Sequence, residues 1–254
     1  MDKRLWKRTY KAIPRFPCPR CGEGRLVQKK GYEIKQYEPN WVTNELDDAG
    51  LRGEMSSGRF AGLLRCDVSP CDETVAVCGD YTSKSEAYFH QLSGEWDVET
   101  ESEYTITRLT PMPQMITIPE KLSGECRDQI DGACELYFVN SGACANKLRV
   151  AVERLLDHLS VPTKGPGNKG QTVEWKLFHR IDELDKIKPG HKDTLDALRH
   201  VGNVGSHEGD ADFDTVTKCF ELLELALEDL IEGKRAELIA TAKGIVARKG
   251  KPVP

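Results

Sequence analysis

ALRHVGNVGSHEGD, residues 197–210, sets Arg199, Asn203 and His207 four residues apart, with Gly202 and Gly205 between them. On one continuous helix, neighbours four apart differ by about 40° around the axis, and Arg199 and His207 by about 80°. All three side chains then share a face. Each glycine, however, lowers helix propensity by about 1 kcal/mol relative to alanine, and its missing side chain lets a second helix approach closely. The stretch therefore reads in two ways, as a catalytic face or as a packing seam.

The catalytic reading follows from the residue types. Metal-free RNA cleavage needs a base for the 2′-hydroxyl, an acid for the leaving oxygen and a positive group on the phosphate. Histidine titrates near neutrality and does the proton work. Arginine grips phosphate oxygens in bidentate fashion, and asparagine orients either group. His200 is a second imidazole on a neighbouring face. In the packing reading Arg199 pairs with Glu153 or Asp196, and Asn203 and His207 satisfy helix-end groups. Residue chemistry alone prefers packing.

Outward from this stretch the second half of the chain reads as helices. Leu122, Cys126, Ile130, Ala133, Cys134 and Tyr137 recur at three- and four-residue spacing, as do Leu148, Val152, Leu155, Leu156 and Leu159. Further helices are expected over 173–187, 192–203 and 213–234, the last capped by Asp210 or Asp212. TKGPGNKG, 163–170, reads as a loop, and the C-terminal tail as a frayed end. The first half is richer in cysteine, glycine and proline. RFAGLLRC, ETVAVCG and EYTITRL read as short strands there. The expected fold class is α+β: a zinc-ribbon-like β region over 1–115, an all-α bundle over 116–235 and a basic tail over 236–254.

Cys18 and Cys21, in CPRC, and Cys66 and Cys71, in CDVSPC, form two pairs. Four thiolates in a tetrahedron are the preference of structural zinc, and they leave no open position for water. A redox role for Cys18–Cys21 is the minor alternative. The other five of nine cysteines sit among apolar residues and read as buried small hydrophobes. Arg15, Arg20, Arg25, Lys29 and Lys30 surround the first pair as a basic rim. Lys3, Arg4, Lys7, Arg8 and Lys11 extend it, interleaved with Trp6, Tyr10 and Phe16. That pattern suits backbone contact plus base stacking on nucleic acid.

Composition bounds the rest. The 254 residues are 39% hydrophobic and 30% charged, as expected of a folding chain. A net charge of −5 argues against a dedicated DNA-coating protein. No stretch reads as a membrane span or signal peptide, and the scattered cysteines suit a reducing, cytoplasmic setting. A phosphate-cradling glycine loop with its lysine is missing, which argues against ATP hydrolysis.

LRVAVERLL, 148–156, and LRHVGNVGSH, 198–207, with the long helix ending LALEDLIEG, resemble a bacterial domain of unknown function placed among the HEPN-like helical domains. The segment before them resembles a zinc-ribbon segment that sometimes precedes that domain. The resemblance implies a four- or five-helix HEPN-like bundle, often a homodimer, in restriction, toxin–antitoxin or antiviral-defence settings with RNA, DNA or a defence-system protein as partner. It marks Arg149 and Glu153 as a structural network, with Arg199, Gly202, Asn203 and His207. HEPN ribonucleases separate their arginine and histidine by four to six residues; here seven lie between Arg199 and His207. The expected function is a defence-associated, nucleic-acid-linked or protein-binding module without catalysis. The alternatives are a metal-independent endoribonuclease using Arg199, Asn203 and His207, and a zinc-ribbon DNA-binding regulator.

Overall fold

In the computed structural model, the chain from Thr9 to Thr110 forms six antiparallel strands, with buried and exposed side chains alternating over the central part of the sheet. The structure describes residues 1–90, 95–167, 170–207, 209 and 211–249. It divides into two units, Asp2–Gln114 with Tyr137–Val139, and Met1 with Met115–Leu136 and the chain from Asn140 onward.

The first unit contains β1 (Thr9–Tyr10), β2 (Leu26–Val27), β3 (Lys35–Tyr37), α1 (Asn40–Asp48), β4 (Met55–Cys66), β5 (Thr74–His90) and β6 (Glu95–Thr110). The sheet order is β1-β6-β5-β4-β2, and β3 shares the outer edge of β4 with β2. Period-two alternation turns Phe60, Leu64 and Cys66 of β4 and Val75, Val77 and Tyr81 of β5 into the core, where Phe16, Leu26 and Ile106 meet them. β5 and β6 continue past the end of β4, pairing as far as His90↔Glu95.

The second unit contains α2 (Gly124–Leu136), α3 (Ser141–His158), a hairpin of β7 (Lys164–Pro166) and β8 (Thr172–Glu174), α4 (Leu177–Ile187), α5 (Lys192–His207), α6 (Phe213–Leu230) and α7 (Lys234–Ala247). The expected apolar stripes form its core: Ile130 and Cys134 of α2, Leu148, Val152, Leu155 and Leu156 of α3, and Phe220, Leu223 and Leu227 of α6 are buried. Asp212 caps α6, accepting from the Thr215 amide at 2.7 Å; Asp210, the other expected cap, lies outside the described residues.

The expected class, a zinc-ribbon-like β region before an all-α bundle, is overturned in both halves. The architecture is mixed α/β. The N-terminal half is one antiparallel sheet whose main strands run 12, 17 and 16 residues, and it contains a helix, α1. The β4–β5–β6 ladder is far larger than two short knuckle hairpins. The C-terminal half is helical but interrupted by the β7–β8 hairpin, which occupies part of the expected loop and the expected first turn of α4. The basic tail forms α7 as far as Ala247. Seven α-helices are present among the described residues. None is long and apolar enough to cross a membrane.

Candidate functional site

Two constellations stand out, one in each unit. In the first, β2 pairs with β4 in the register Leu26↔Cys66. That pairing carries the turn holding Cys18 and Cys21 onto the β4–β5 turn holding Cys66 and Cys71. The first turn is closed by the Cys18 amide donating to Gly24 O at 2.9 Å and the Gly22 amide donating to Cys18 O at 3.0 Å. The second is closed by the Cys71 and Asp72 amides donating to Val68 O, with Asp72 held at a positive φ of 44°.

The four Sγ atoms all lie within 4.8 Å of one another, with Cys18–Cys71 at 3.6 Å and Cys21–Cys66 at 3.8 Å. Those separations exceed a disulfide, about 2.05 Å. They match the edge of a tetrahedron of thiolates about 2.3 Å from a central ion, which is about 3.8 Å. The cluster can therefore hold a metal ion. Gly24 leaves room for it, because a Cβ there would overlap Cys66 Sγ. The Gly24 amide, donating to Cys21 Sγ at 3.4 Å, lowers that thiol to about 7, while burial pushes Cys66 up to about 12. Coordination of an ion would deprotonate all four outright.

The basic rim behaves less uniformly than its composition suggests. Arg15 pairs with Asp67 at 2.8 Å, and Lys29 with Asp72 at 2.8 Å, so both brace the second cysteine turn. Arg65 also contacts Asp72 and lies 5.0 Å from the Tyr32 ring. Arg20, Arg25 and Lys30 remain exposed. Trp6, Tyr10 and Phe16, expected to stack on bases, are buried and pack on one another, with Trp6–Phe16 centroids 5.4 Å apart. A buried ring has no free face for a base. Of the remaining cysteines, four are buried as expected and Cys78 is half-buried.

In the helical unit, α5 runs unbroken through Gly202 and Gly205 to His207. Both glycines are buried in a seam with α3. A Cβ on Gly205 would overlap the Gly142 carbonyl and lie 2.9 Å from its Cα; one on Gly202 would overlap Arg149 Cβ and lie 2.8 Å from Ala145 O. This close approach places Arg149 and Glu153 of α3 beside Arg199 and Asn203 of α5. Together with the β8–α4 connection they line a cleft of about 490 Å³.

Each arginine there is partly committed. Arg149 donates through Nη1 to Glu153 at 2.6 Å and through Nε to Asn146 at 3.2 Å. Arg199 donates through Nε to Asp196 at 2.7 Å, its Nη2 lies 2.7 Å from His200 Nε2, and its guanidinium carbon is 5.9 Å from the Phe178 ring. Of the two partners expected for Arg199, the structure gives Asp196. His207 is exposed at the end of α5 and is not among the cleft-lining residues.

Residues 132–248 match the family model of a domain of unknown function (DUF4145), and residues 7–107 match that of a second domain of unknown function (DUF8608). No curated protein and no solved structure matches the chain. The first match spans α3 to α7 and so includes every residue of the cleft; the second includes all four clustered cysteines.

Sequence reading missed one wall of the cleft: Glu174, Trp175, Lys176, Phe178 and Arg180. These lie in VEWKLFHR, which reads as amphipathic helix throughout. The available signal was Lys176, a residue type with no acceptor to cap a helix, at the N-cap position of α4. Arg180 is nearly buried, donating to Asp157 at 2.7 Å and Val161 O at 3.0 Å, and its Nε has no partner among the described residues.

Proposed function

We propose that the protein is a non-catalytic, nucleic-acid-linked module whose helical unit binds RNA and whose β unit is organised by a structural zinc ion. One observation carries the reading: Arg149, Arg199 and Asn203 line one cleft, and His207 is not part of its lining. A cation-lined cleft suits binding of a phosphate backbone. General acid–base cleavage also needs proton-transferring side chains within hydrogen-bond reach of the reacting oxygens, and His207, the histidine expected in that role, is not in the cleft lining. The HEPN-like resemblance of 148–156 and 198–207 supports a homodimer in a bacterial defence setting. Zinc is the ion that four thiolates in a closed tetrahedron favour, and without an open position its role is architectural.

The test is to incubate the full chain with labelled RNA in EDTA, and to measure binding by fluorescence anisotropy in parallel. The expected result is saturable binding without cleavage. Arg199→Gln should weaken it and reduce the slope of log K against log salt by about one, while His207→Ala binds as wild type does. Cleavage that disappears in both His207→Ala and Arg199→Gln would replace this reading with the endoribonuclease.

A further inference from the structure

In the first unit the β5–β6 ladder outruns the rest of its sheet. β4 last pairs with β5 at Met55↔Lys84, and β1 with β6 at Tyr10↔Tyr104. Beyond these points the two strands pair only with each other among the described residues, as far as His90↔Glu95. They form a two-stranded ribbon with open edges. The edge of β5 is open over 86–90 only, because the Ser85 amide still donates to Glu54 O at 2.7 Å. The edge of β6 is open over 95–103, the longer stretch. A row of unpaired main-chain amides and carbonyls is a template for another strand.

Strand alternation gives the ribbon two unlike faces. On one, Trp96 packs beside Phe89, their centroids 5.5 Å apart, and Val98 stands opposite Ala87. Even so paired, Trp96 is 73% exposed, Val98 59% and Phe89 48%. The hydroxyl pairs Ser85–Thr100 and Ser83–Ser102, at 2.9 and 2.8 Å, continue this face toward the core. The other face carries Asp97, Glu99, Glu101 and Glu103 of β6 with Glu86 of β5. Asp97 accepts from the Tyr88 hydroxyl at 3.3 Å; Glu101 pairs with Lys11 at 3.1 Å and stands opposite Lys84. Glu86 and Glu99 face each other directly, and among the described residues no cation pairs with either of them or with Glu103. Like charges opposed across strands are destabilising.

Acids along an open edge keep an identical strand away, since a second β6 would set carboxylate against carboxylate, and they repel a phosphate backbone in the same way. That role needs only the charged face. It leaves the indole of Trp96 and the side chain of Val98 standing in water on the other, and exposed aromatics among apolar neighbours are what protein contacts are centred on. A strand whose side chains alternate between cationic and apolar would satisfy both faces and the main-chain edge together, as in recognition by strand addition. We propose that the open edge of β6 over 95–103 binds an extended segment of a partner protein as an added strand, its basic residues beside Asp97, Glu99, Glu101 and Glu103 and its apolar residues beside Trp96 and Val98. The surface lies in the first unit and is independent of the RNA reading of the helical cleft.

The experiment uses the full chain at low salt with a short fluorescein-labelled peptide alternating lysine and valine, followed by anisotropy and by amide hydrogen exchange read by mass spectrometry. Two control peptides carry the same lysines and valines in separate blocks, or glutamate in place of lysine. The alternating peptide should bind saturably and slow exchange over 95–103, and both controls should bind at least about tenfold more weakly. Trp96→Ala removes an exposed ring, so it should keep the wild-type urea midpoint while weakening the peptide about tenfold. Glu99→Lys, also at an exposed position, should weaken it by about as much. Arg199→Gln should bind the peptide as wild type does, which separates a failure here from a failure of the RNA reading. No binding of the alternating peptide, equal binding of the block peptide, or binding that leaves exchange over 95–103 unchanged would overturn the proposal. So would labelled RNA that slows exchange over 95–103, or a wild-type dimer by light scattering that Trp96→Ala converts to monomer, since a second copy would then cover the ribbon.

Discussion

Replacing Gly205 by alanine tests what the glycines of α5 are for. At an unconstrained helical position this change stabilises by about 1 kcal/mol. Here the new Cβ would lie 2.9 Å from Gly142 Cα and overlap the Gly142 carbonyl. Carbon atoms rest about 3.5–4.0 Å apart, so α3 and α5 must part by roughly 0.6–1 Å. The obstacle is backbone, which cannot rotate away as a side chain would. Overpacking costs about 1–3 kcal/mol, and a rigid neighbour puts Gly205 at the upper end, leaving about 2 kcal/mol of net destabilisation after the propensity gain. Gly132, in α2, is the internal control: its added Cβ meets only the flexible Lys147 side chain, at 3.5 Å or more. Gly132→Ala should stabilise by up to about 1 kcal/mol. With a urea m-value of about 1–3 kcal/mol/M, the two midpoints followed by circular dichroism at 222 nm should move in opposite directions. Midpoints shifting the same way, or Gly205→Ala more stable than wild type, would refute the seam. Arg199, one face round from the seam, should also lose its register with Arg149, so Gly205→Ala should weaken RNA binding in step with the loss of stability.

Three further outcomes follow from named contacts. Gly24→Ala places a methyl on Cys66 Sγ, so it should purify with less bound metal than wild type by elemental analysis; unchanged metal content would show that the four sulfurs are not the site. The hydroxyl and amide of Thr215 hold the Asp212 carboxyl below its usual range. A depressed folded-state value means the cap's contribution is fully present above the unfolded value, near 3.9, and is lost as pH falls through the folded value. The stability gap between wild type and Asp212→Ala should therefore be constant from neutral pH down to about pH 5 and close below about pH 4, in acid titrations followed by circular dichroism. Arg180→Met removes a nearly buried guanidinium from Asp157. Breaking a fully buried pair costs about 3–5 kcal/mol; because Asp157 is partly exposed and keeps Arg154 at 2.8 Å, a loss of about 2 kcal/mol is expected in urea melts.

Much of the helical unit was legible because its apolar stripes are long and regular. Ile130, Leu148, Leu155, Phe220 and Leu227, picked out by spacing, are all buried. The four cysteines were legible because tetrathiolate chemistry depends on residue type, although what joins them, the β2–β4 register, is a long-range pairing that no local pattern encodes. The strands were recognised but cut short. Along 84–103 the residues facing one side, such as Glu86, Asp97, Glu99 and Glu101, are charged, and hydrophobicity fades where cross-strand pairing continues to set the structure. The β7–β8 hairpin was hidden for a related reason: KGP and TVE are each three residues long, too short for periodicity to register. The burial of Trp6, Tyr10 and Phe16 shows the reverse error, in which basic neighbours made core aromatics look like a binding surface.

The two readings of residues 197–210 meet in the structure. Only because Gly202 has no side chain can the Arg149 stem cross α5 where it does, since a Cβ at 202 would come within 2.4 Å of Arg149 Cβ. Arg149 and Glu153 reach the same cleft as Arg199 and Asn203 through that crossing. The seam sets the distance between the two guanidinium groups, and the uncapped start of α4 supplies the third side. A substitution in the seam and a substitution in the cleft should therefore be coupled. Gly202→Ala and Arg149→Ala share contacts at Arg149 Cβ and Cδ, and such neighbours depart from additivity by about 0.5–3 kcal/mol. Alanine at 149 keeps the Cβ that Gly202→Ala meets but removes the guanidinium that the shift displaces, so in the double mutant the loss of RNA binding should be smaller than the sum of the two single losses. Strict additivity in the binding cycle would separate packing from ligand contact and leave the glycines with no part in shaping the cleft.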